Sequence, residues 1–230
     1  MSEPDQSGQH AGSMTANGPK DALVQLAALL AALAGMVDAI GFLAFGHVFF
    51  ASPDASATVL GANLPGSIDI ALFAGAMLFS FVAGVTLMTL IANRATKFRR
   101  TLVLSGTALA LALAYVALQI GISFAPAVLL AMAMGGAFCI FERDDPNLQE
   151  AMSPSAQIVG FGEALVGERY DTDRRLTGLH ASFWLAFLLG GVAGTSAWFA
   201  IDAQSLALAT GVAGVLTLWT LLIERELTPK

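Results

Sequence analysis

One carboxylate stands where a carboxylate is costly. Asp38 is the only charged residue well inside any of the long apolar runs of this chain, sixteen residues past Ala22. In a helix rising about 1.5 Å per residue, that is ~24 Å along the axis. A charge at the bilayer centre costs about 2.5–3.5 kcal/mol on insertion scales, and such residues usually face a bundle interior and mark an ion or proton path. No Lys or Arg lies inside a run to pair with it. Two readings follow: a proton or solute site, or a structural Asp bonded to a neighbouring helix.

The other residues able to line a path fall in two related stretches. Ser52-Pro53-Asp54-Ala55-Ser56-Ala57-Thr58-Val59-Leu60-Gly61-Ala62-Asn63-Leu64 follows the first apolar run, and Ser153-Pro154-Ser155-Ala156-Gln157-Ile158-Val159-Gly160-Phe161-Gly162-Glu163-Ala164-Leu165 follows the fourth. Aligned without gaps they share Ser, Pro, Ala, Gly and Leu at an offset of 101, which also pairs Gly35 with Gly136. The candidates for a substrate or proton path are Asp38, Ser52, Asp54, Ser56, Thr58, Ser153, Ser155 and Gln157, with Gln119 from the third run. Ala55–Leu64 and Ala156–Val166 read as short helices opened by Ser-Pro start signals. They are too short to span a bilayer, so they are either re-entrant or interfacial. A re-entrant helix N-terminus, with its unpaired N–H groups, suits an anion or a carbonyl dipole.

The remaining polar residues read more plainly. His47 and His180 are expected to be solvated ends of runs. Thr86 and Thr89 are expected to bond their own backbone or a neighbouring helix. Three His, none at i, i+4 spacing, and a single Cys make neither a metal site nor a disulfide. Cys139 reads as an inert core residue. No nucleophile elbow, metalloprotease helix or phosphate loop occurs. We therefore expect no enzyme, no catalytic residue and no cofactor.

The elements that must position these residues follow from composition. Of 230 residues, 56% are hydrophobic and 12% charged, against about 25% charged in soluble domains; the mean hydropathy is +0.72. A soluble fold of this size lacks the interior to hide so much apolar surface. A net charge of -6 argues against a nucleic-acid partner. An all-α, polytopic membrane protein remains, with the lipid bilayer as its surroundings. Six runs reach or approach the roughly 20 residues a span needs: about Ala22–Phe45, Ile68–Asn93, Thr101–Ser123, Ala125–Phe141, Gly178–Ala200 and Ala203–Ile223. They are continuous rather than alternating, so they are helices and not barrel strands.

All 11 Lys and Arg lie in the N-terminal tail, the second and fourth connections and the C-terminal tail. With six spans every one falls on the same side, which puts both termini in the cytoplasm of a bacterial inner membrane. Residues 1–20 read as a disordered tail without a secretory signal, residues 21–224 as the membrane domain and 225–230 as a cytoplasmic tail. The two Ser-Pro stretches divide the domain into halves of about 22–123 and 125–223. Three helices per half is odd, so the halves enter the membrane in opposite senses, the inverted-repeat plan common in secondary transporters. Small residues at four-residue spacing, including Gly190 and Gly194, let helices pack closely within the monomer or across a homodimer.

Gly35-Met36-Val37-Asp38-Ala39-Ile40-Gly41-Phe42-Leu43 resembles the first-helix signature of the YoaK family, a bacterial membrane family of unestablished activity. Ala131-Met132-Ala133-Met134-Gly135 is similar to its fourth-helix signature, and Phe183-Trp184-Leu185-Ala186-Phe187-Leu188-Leu189-Gly190-Gly191 to its fifth. The resemblance runs from about Ala22 to Leu222. The departures are specific. Asp54-Ala55-Ser56-Ala57 stands where the family has Met-Thr/Ser-Gly-Asn, Gly136-Ala137-Phe138 where it has Leu-Gln-Asn, and Ser155-Ala156 where it has Thr-Gly. The resemblance implies a fold but no mechanism. Two functions are therefore expected: a small-solute transporter or channel-like permease working on a solute or proton, or a non-transporting scaffold on the same fold.

Overall fold

Leu and Ala dominate the first apolar run and nothing in it breaks a helix, so it forms a single helix, α1, over Pro19–Ala44. Pro19 opens it with a pre-set φ, and Gly46 follows it in the left-handed region at φ +80°. The computed structural model describes residues 19–46, 48–95, 97–141, 148, 150–167 and 174–227. Among them every regular element is helical. A short helix α2 (Pro53–Asn63) precedes α3 (Ile68–Arg94), α4 (Arg99–Gln119) and α5 (Ala125–Ala137). A 3₁₀ turn at Glu150–Met152 leads into a second short helix, α6 (Pro154–Gly167). Then come α7 (Arg174–Ile201), a 3₁₀ turn at Asp202–Gln204 and α8 (Ser205–Leu227).

Four stretches are long and apolar enough to cross a membrane: Asp21–Ala44, Ile68–Arg94, Arg99–Gln119 and Thr177–Glu226. The last is 50 residues long, and the turn at Asp202–Gln204 divides it between α7 and α8. With α5 as a shorter apolar helix, this is a multi-pass membrane protein. Its outer surface agrees, with large apolar side chains such as Phe79 and Phe199 more than three-quarters exposed. In water such a surface would be an aggregation site; in lipid it has matching surroundings.

The helices pack in a defined set of pairs. α1 lies against α7 and α8, α3 against α5, and α4 against α5 and α8; the short helices α2 and α6 lie on α3 and α7. Lipid is as apolar as Leu, so close van der Waals contact carries these pairings. At the α1–α7 crossing, a Cβ on Gly190 would collide with the carbonyl of Ala32, and one on Gly194 would sit 2.6 Å from the carbonyl oxygen of Met36. The GxxxG of α7 is thus spent inside the monomer. At the α3–α5 crossing, Gly84 faces Met132 and Gly135 faces Phe81 in the same way.

α5 is shorter than the run from Ala125 to Phe141. After Gly135 and Gly136, poor helix formers, the backbone tightens into three-residue bonds from Cys139 N to Gly136 O and from Ile140 N to Ala137 O. The Arg99 guanidinium then donates to the carbonyls of Cys139 and Ile140, both at 3.0 Å. A basic group at a helix C-terminus satisfies carbonyls that have no helical partner.

The glycine contacts predict a stability contrast. Gly190→Leu forces α7 away from α1 and should destabilise the protein by about 1–3 kcal/mol or more. Gly211→Ala, inside α8 at a position with nothing within 4 Å, should leave stability unchanged or raise it by up to about 1 kcal/mol. Thermal unfolding of the purified protein in one detergent measures both.

Candidate functional site

Beyond Ala44 the chain turns and comes back along α1, and Asp38 is what it returns to. The N–H groups of Phe50 and Ala51 both donate to Asp38 Oδ1 at 2.6 Å, and the Ser52 hydroxyl donates to Oδ2 at 3.1 Å. Asp38 lies six residues before the end of α1, so the returning segment sits ~9 Å back from that end. Phe50 fits there because Gly41 has no side chain; a Cβ on Gly41 would collide with the Phe50 ring. Ser56, in the second turn of α2, donates to the carbonyl of Phe49 at 2.8 Å and closes the loop. Asp38 is only 3% exposed, with both oxygens occupied. It anchors the N-terminus of α2.

The approach to α6 is built in a similar way. Gln157, in the second turn of α6, donates through Nε2 to the carbonyl of Glu150 at 2.6 Å. Its Oε1 meets His180 Nδ1 at 2.9 Å. Both side chains are buried, Gln157 completely. The Ser153 hydroxyl accepts the N–H of Ala156 at 3.4 Å, a helix N-cap.

The two short helices meet N-terminus to N-terminus. Ser155 Oγ donates to Asp54 Oδ2 across the gap at 3.4 Å. Around this contact is a cavity of about 530 Å³ between α1, α7 and the starts of α2 and α6. Among the described residues its polar lining is Asp38, Ser52, Asp54, Ser155 and Thr195; the rest is apolar, with no Lys or Arg. A mostly apolar cleft with a few convergent polar groups is the usual form of a small-molecule site. The anion expected at a bare helix N-terminus does not suit this one. Asp38 holds the segment leading into α2 and Asp54 occupies its first turn, so an anion would meet two carboxylates. A cation or a neutral hydrogen-bond donor fits instead. Asp54 is exposed towards the cavity and is the carboxylate placed to receive it.

The remaining candidates divide clearly. Ser52 and Ser155 line the cavity. Ser56, Ser153 and Gln157 hold the short helices in place from behind. Thr58 is exposed and donates to the carbonyl of Asp54 at 3.1 Å. Gln119 is exposed in the last turn of α4 and is no part of the cavity wall. Thr86 donates to its own helix at Val82, and Thr89 Oγ1 lies 3.4 Å from the buried Cys139 Sγ. His47 lies outside the described residues. His180 is a correction: it is a buried partner of Gln157 rather than a solvated end. The neighbouring helix makes room for it through Gly160, whose Cβ would lie 2.6 Å from the His180 ring.

Two residues were not singled out by pattern. Thr195 lies one helical turn past Gly191 and lines the cavity beside it; no motif marks it. Glu224 lies just past the last apolar run, yet it is buried. Its carboxylate accepts the N–H of Arg100 at 2.8 Å, the N–H of Thr101 at 3.1 Å and the Thr101 hydroxyl at 2.6 Å. It caps α4 at the end where helix N–H groups lack partners.

A family model described as "Protein of unknown function (DUF1275)" matches residues 26–219. The chain belongs to this family. It is also 38% identical over 71 residues to UPF0700 transmembrane protein YoaK of Bacillus subtilis (strain 168). That stretch covers 30% of this chain and 32% of the relative, so the chain spans about a third of the length of the curated relative it matches. No solved structure matches it. The resemblance of the chain to the YoaK family therefore holds, and the cavity lies within the matched span of the DUF1275 family.

The anchor predicts a graded loss. Asp38→Ala leaves the buried N–H groups of Phe50 and Ala51 without their acceptor, and one such group costs about 1–3 kcal/mol. Asp38→Asn keeps one carbonyl oxygen and should lose less. Thermal unfolding, with the rate of proteolysis in the connection around residue 50, should rank parent, Asn and Ala in that order.

Proposed function

We propose that this DUF1275 protein is a small-solute permease, and that the solute sits in the cavity between the N-termini of α2 and α6. The observation that carries the reading is the contact of Asp54 with Ser155 inside that cavity. These two residues are separated by 101 positions, the offset that aligns the two Ser-Pro stretches. Residues equivalent in two halves can touch each other only close to an axis relating those halves. Transporters built from inverted repeats hold their substrates there, at the ends of broken or short helices.

Further correspondences support the two halves. Ser56 reaches back to the carbonyl of Phe49 and Gln157 to that of Glu150, the same pair of positions shifted by 101. The packing of α1 on α7 is matched by that of α5 on α3, and the packing of α2 on α3 by that of α6 on α7. Six spans follow when α7 and α8 are counted separately and α5 is included. The return of the chain to Asp38 favours a re-entrant α2, with its N-terminus at depth and its C-terminus at the surface.

The basic residues support cytoplasmic termini in a bacterial inner membrane. Arg100 lies 4.0 Å from Glu224, and Arg99 reaches the end of α5. The start of α4 and the ends of α5 and α8 therefore share one side, where Arg94 and Arg225 also end their helices.

A second reading has one observation in its favour. Asp38, the intramembrane acid, is fully occupied by structural bonds, as a non-transporting scaffold would have it.

The protein reconstituted in liposomes separates the two. The permease reading expects proton, small-cation or neutral-solute flux that falls at least about tenfold in Asp54→Asn, equivalent to ~1.4 kcal/mol. Folded parent protein that passes none of a broad panel would leave the scaffold standing.

A further inference from the structure

The central cavity does not end at α7. A second cavity of about 490 Å³ shares Ala39, Pro154, Phe187, Gly191 and Thr195 with it and continues to Trp184, Leu188 and Val192. A third, of about 350 Å³, takes over from Trp184 and runs between α6 and α7 along Ile158, Phe161 and Leu185. Together they form a groove whose inner end carries Asp54 and Ser155 and whose outer part is apolar.

The direction of the groove matters. Leu188 and Val192 are about half exposed, as are Ile158 and Leu185. Leu188 lies fourteen residues into the 28-residue α7, ~21 Å along it, at the helix midpoint. In a spanning helix that level is hydrocarbon, so the opening faces lipid tails and not water. The polar atom at the rim is already satisfied, since the Ser196 hydroxyl donates to the carbonyl of Val192 at 2.8 Å. Apart from that hydroxyl, Thr195, shared with the central cavity, and the Trp184 indole N–H, this arm offers a water-soluble solute only apolar side chains.

We propose that the cavity opens sideways into the bilayer between α6 and α7 and takes an amphiphile, its ammonium head at Asp54 and Ser155 and its alkyl tail along Trp184. Charge complementarity selects the head. Asp38 and Asp54 line the inner end, and among the described residues no Lys or Arg lines any of the three cavities. An ammonium group donates to the Asp54 carboxylate and the Ser155 hydroxyl, where an anionic head would be repelled. From Thr195 to Trp184 is eleven residues of α7, ~16 Å, so the groove fits a long tail. This inference rests on the permease reading for the role of the site and names the class of molecule that enters it.

Trp184 makes the proposal measurable. The chain has three Trp, and Trp198→Phe with Trp219→Phe leaves Trp184 as its sole tryptophan, excited selectively at the red edge of indole absorption. This protein in nanodiscs is titrated with a dodecylamine carrying a terminal bromine, which quenches indole on contact. The amine should quench saturably, while a brominated carboxylate of equal length should give only the unsaturable quenching of bulk partitioning. Asp54→Asn should raise the half-quenching concentration about tenfold. Val192→Trp read with an amine-displaceable bromine-free dansyl probe, or Val192→Phe in the quenching assay itself, should remove the saturable part by filling the groove.

Equal quenching by amine and carboxylate would overturn the proposal, as would an unchanged titration in both Asp54→Asn and Val192→Phe. Two copies per disc with Trp184 shielded from every brominated probe would make this face an interface and also overturn it. Flux measured in parallel keeps the two readings apart. Asp54-dependent flux of hydrophilic solutes without saturable amine binding removes this inference and leaves the permease. Saturable binding with no flux of any solute, the amine included, keeps the site and removes the permease.

Discussion

The fold of the site depends on one buried carboxylate. Asp38 collects two backbone N–H groups and a hydroxyl from a segment that has just left α1 and must return beside it. Without those bonds the N–H groups of Phe50 and Ala51 would lie in apolar surroundings with no partner, which an interior does not tolerate cheaply. The three bonds fix where α2 begins and which way its first turn faces. That in turn sets Asp54 against Ser155 and opens the cavity between them. The apparent oddity of a charge in an apolar helix is thus explained by backbone chemistry before any solute is considered.

The rest of the molecule supplies support for that geometry. Glycines at the α1–α7 and α3–α5 crossings bring backbones close enough to hold the bundle where lipid gives little hydrophobic driving force. Side chains behind the short helices, Ser56 and Gln157, bond carbonyls seven residues upstream and keep both helices in register with their approaches. His180 adds a second bond to Gln157 on one side only. The site is therefore not symmetric even in the proposed two-half arrangement: one half contributes both carboxylates and Ser52, the other Ser155, Thr195 and most of the apolar groove.

Much of this could be read in the amino-acid pattern, and the limits have physical causes. Continuous apolar runs specify helices in lipid, because backbone groups there have no other partner. The Ser-Pro starts marked α2 and α6 to within two residues at their beginnings. Asp38 stood out because it alone broke an apolar run, but its role did not follow. Composition cannot tell whether a buried acid faces a solute or the chain's own N–H groups. His180 and Glu224 look like solvated ends in a linear pattern, and both are buried because partners distant in sequence, Gln157 and Thr101, come to meet them. Thr195 is invisible by type and is selected only by which face of α7 turns to α1. Polarity at span ends is ambiguous for the same reason: the depth of a residue depends on what packs over it.

The central claim is that α2 and α6 meet at their N-termini. Cross-linking tests it most directly. In a Cys139→Ser background, Asp54→Cys with Ser155→Cys places two thiols at the contact that now joins Oδ2 and Oγ at 3.4 Å. A protease site inserted in the connection between α4 and α5 lets the two halves be resolved on a gel. Mild oxidation in native membranes should keep the halves together after cleavage, while a control pairing Thr58→Cys with Ser155→Cys should let them separate. Halves that separate equally in both variants would contradict the account.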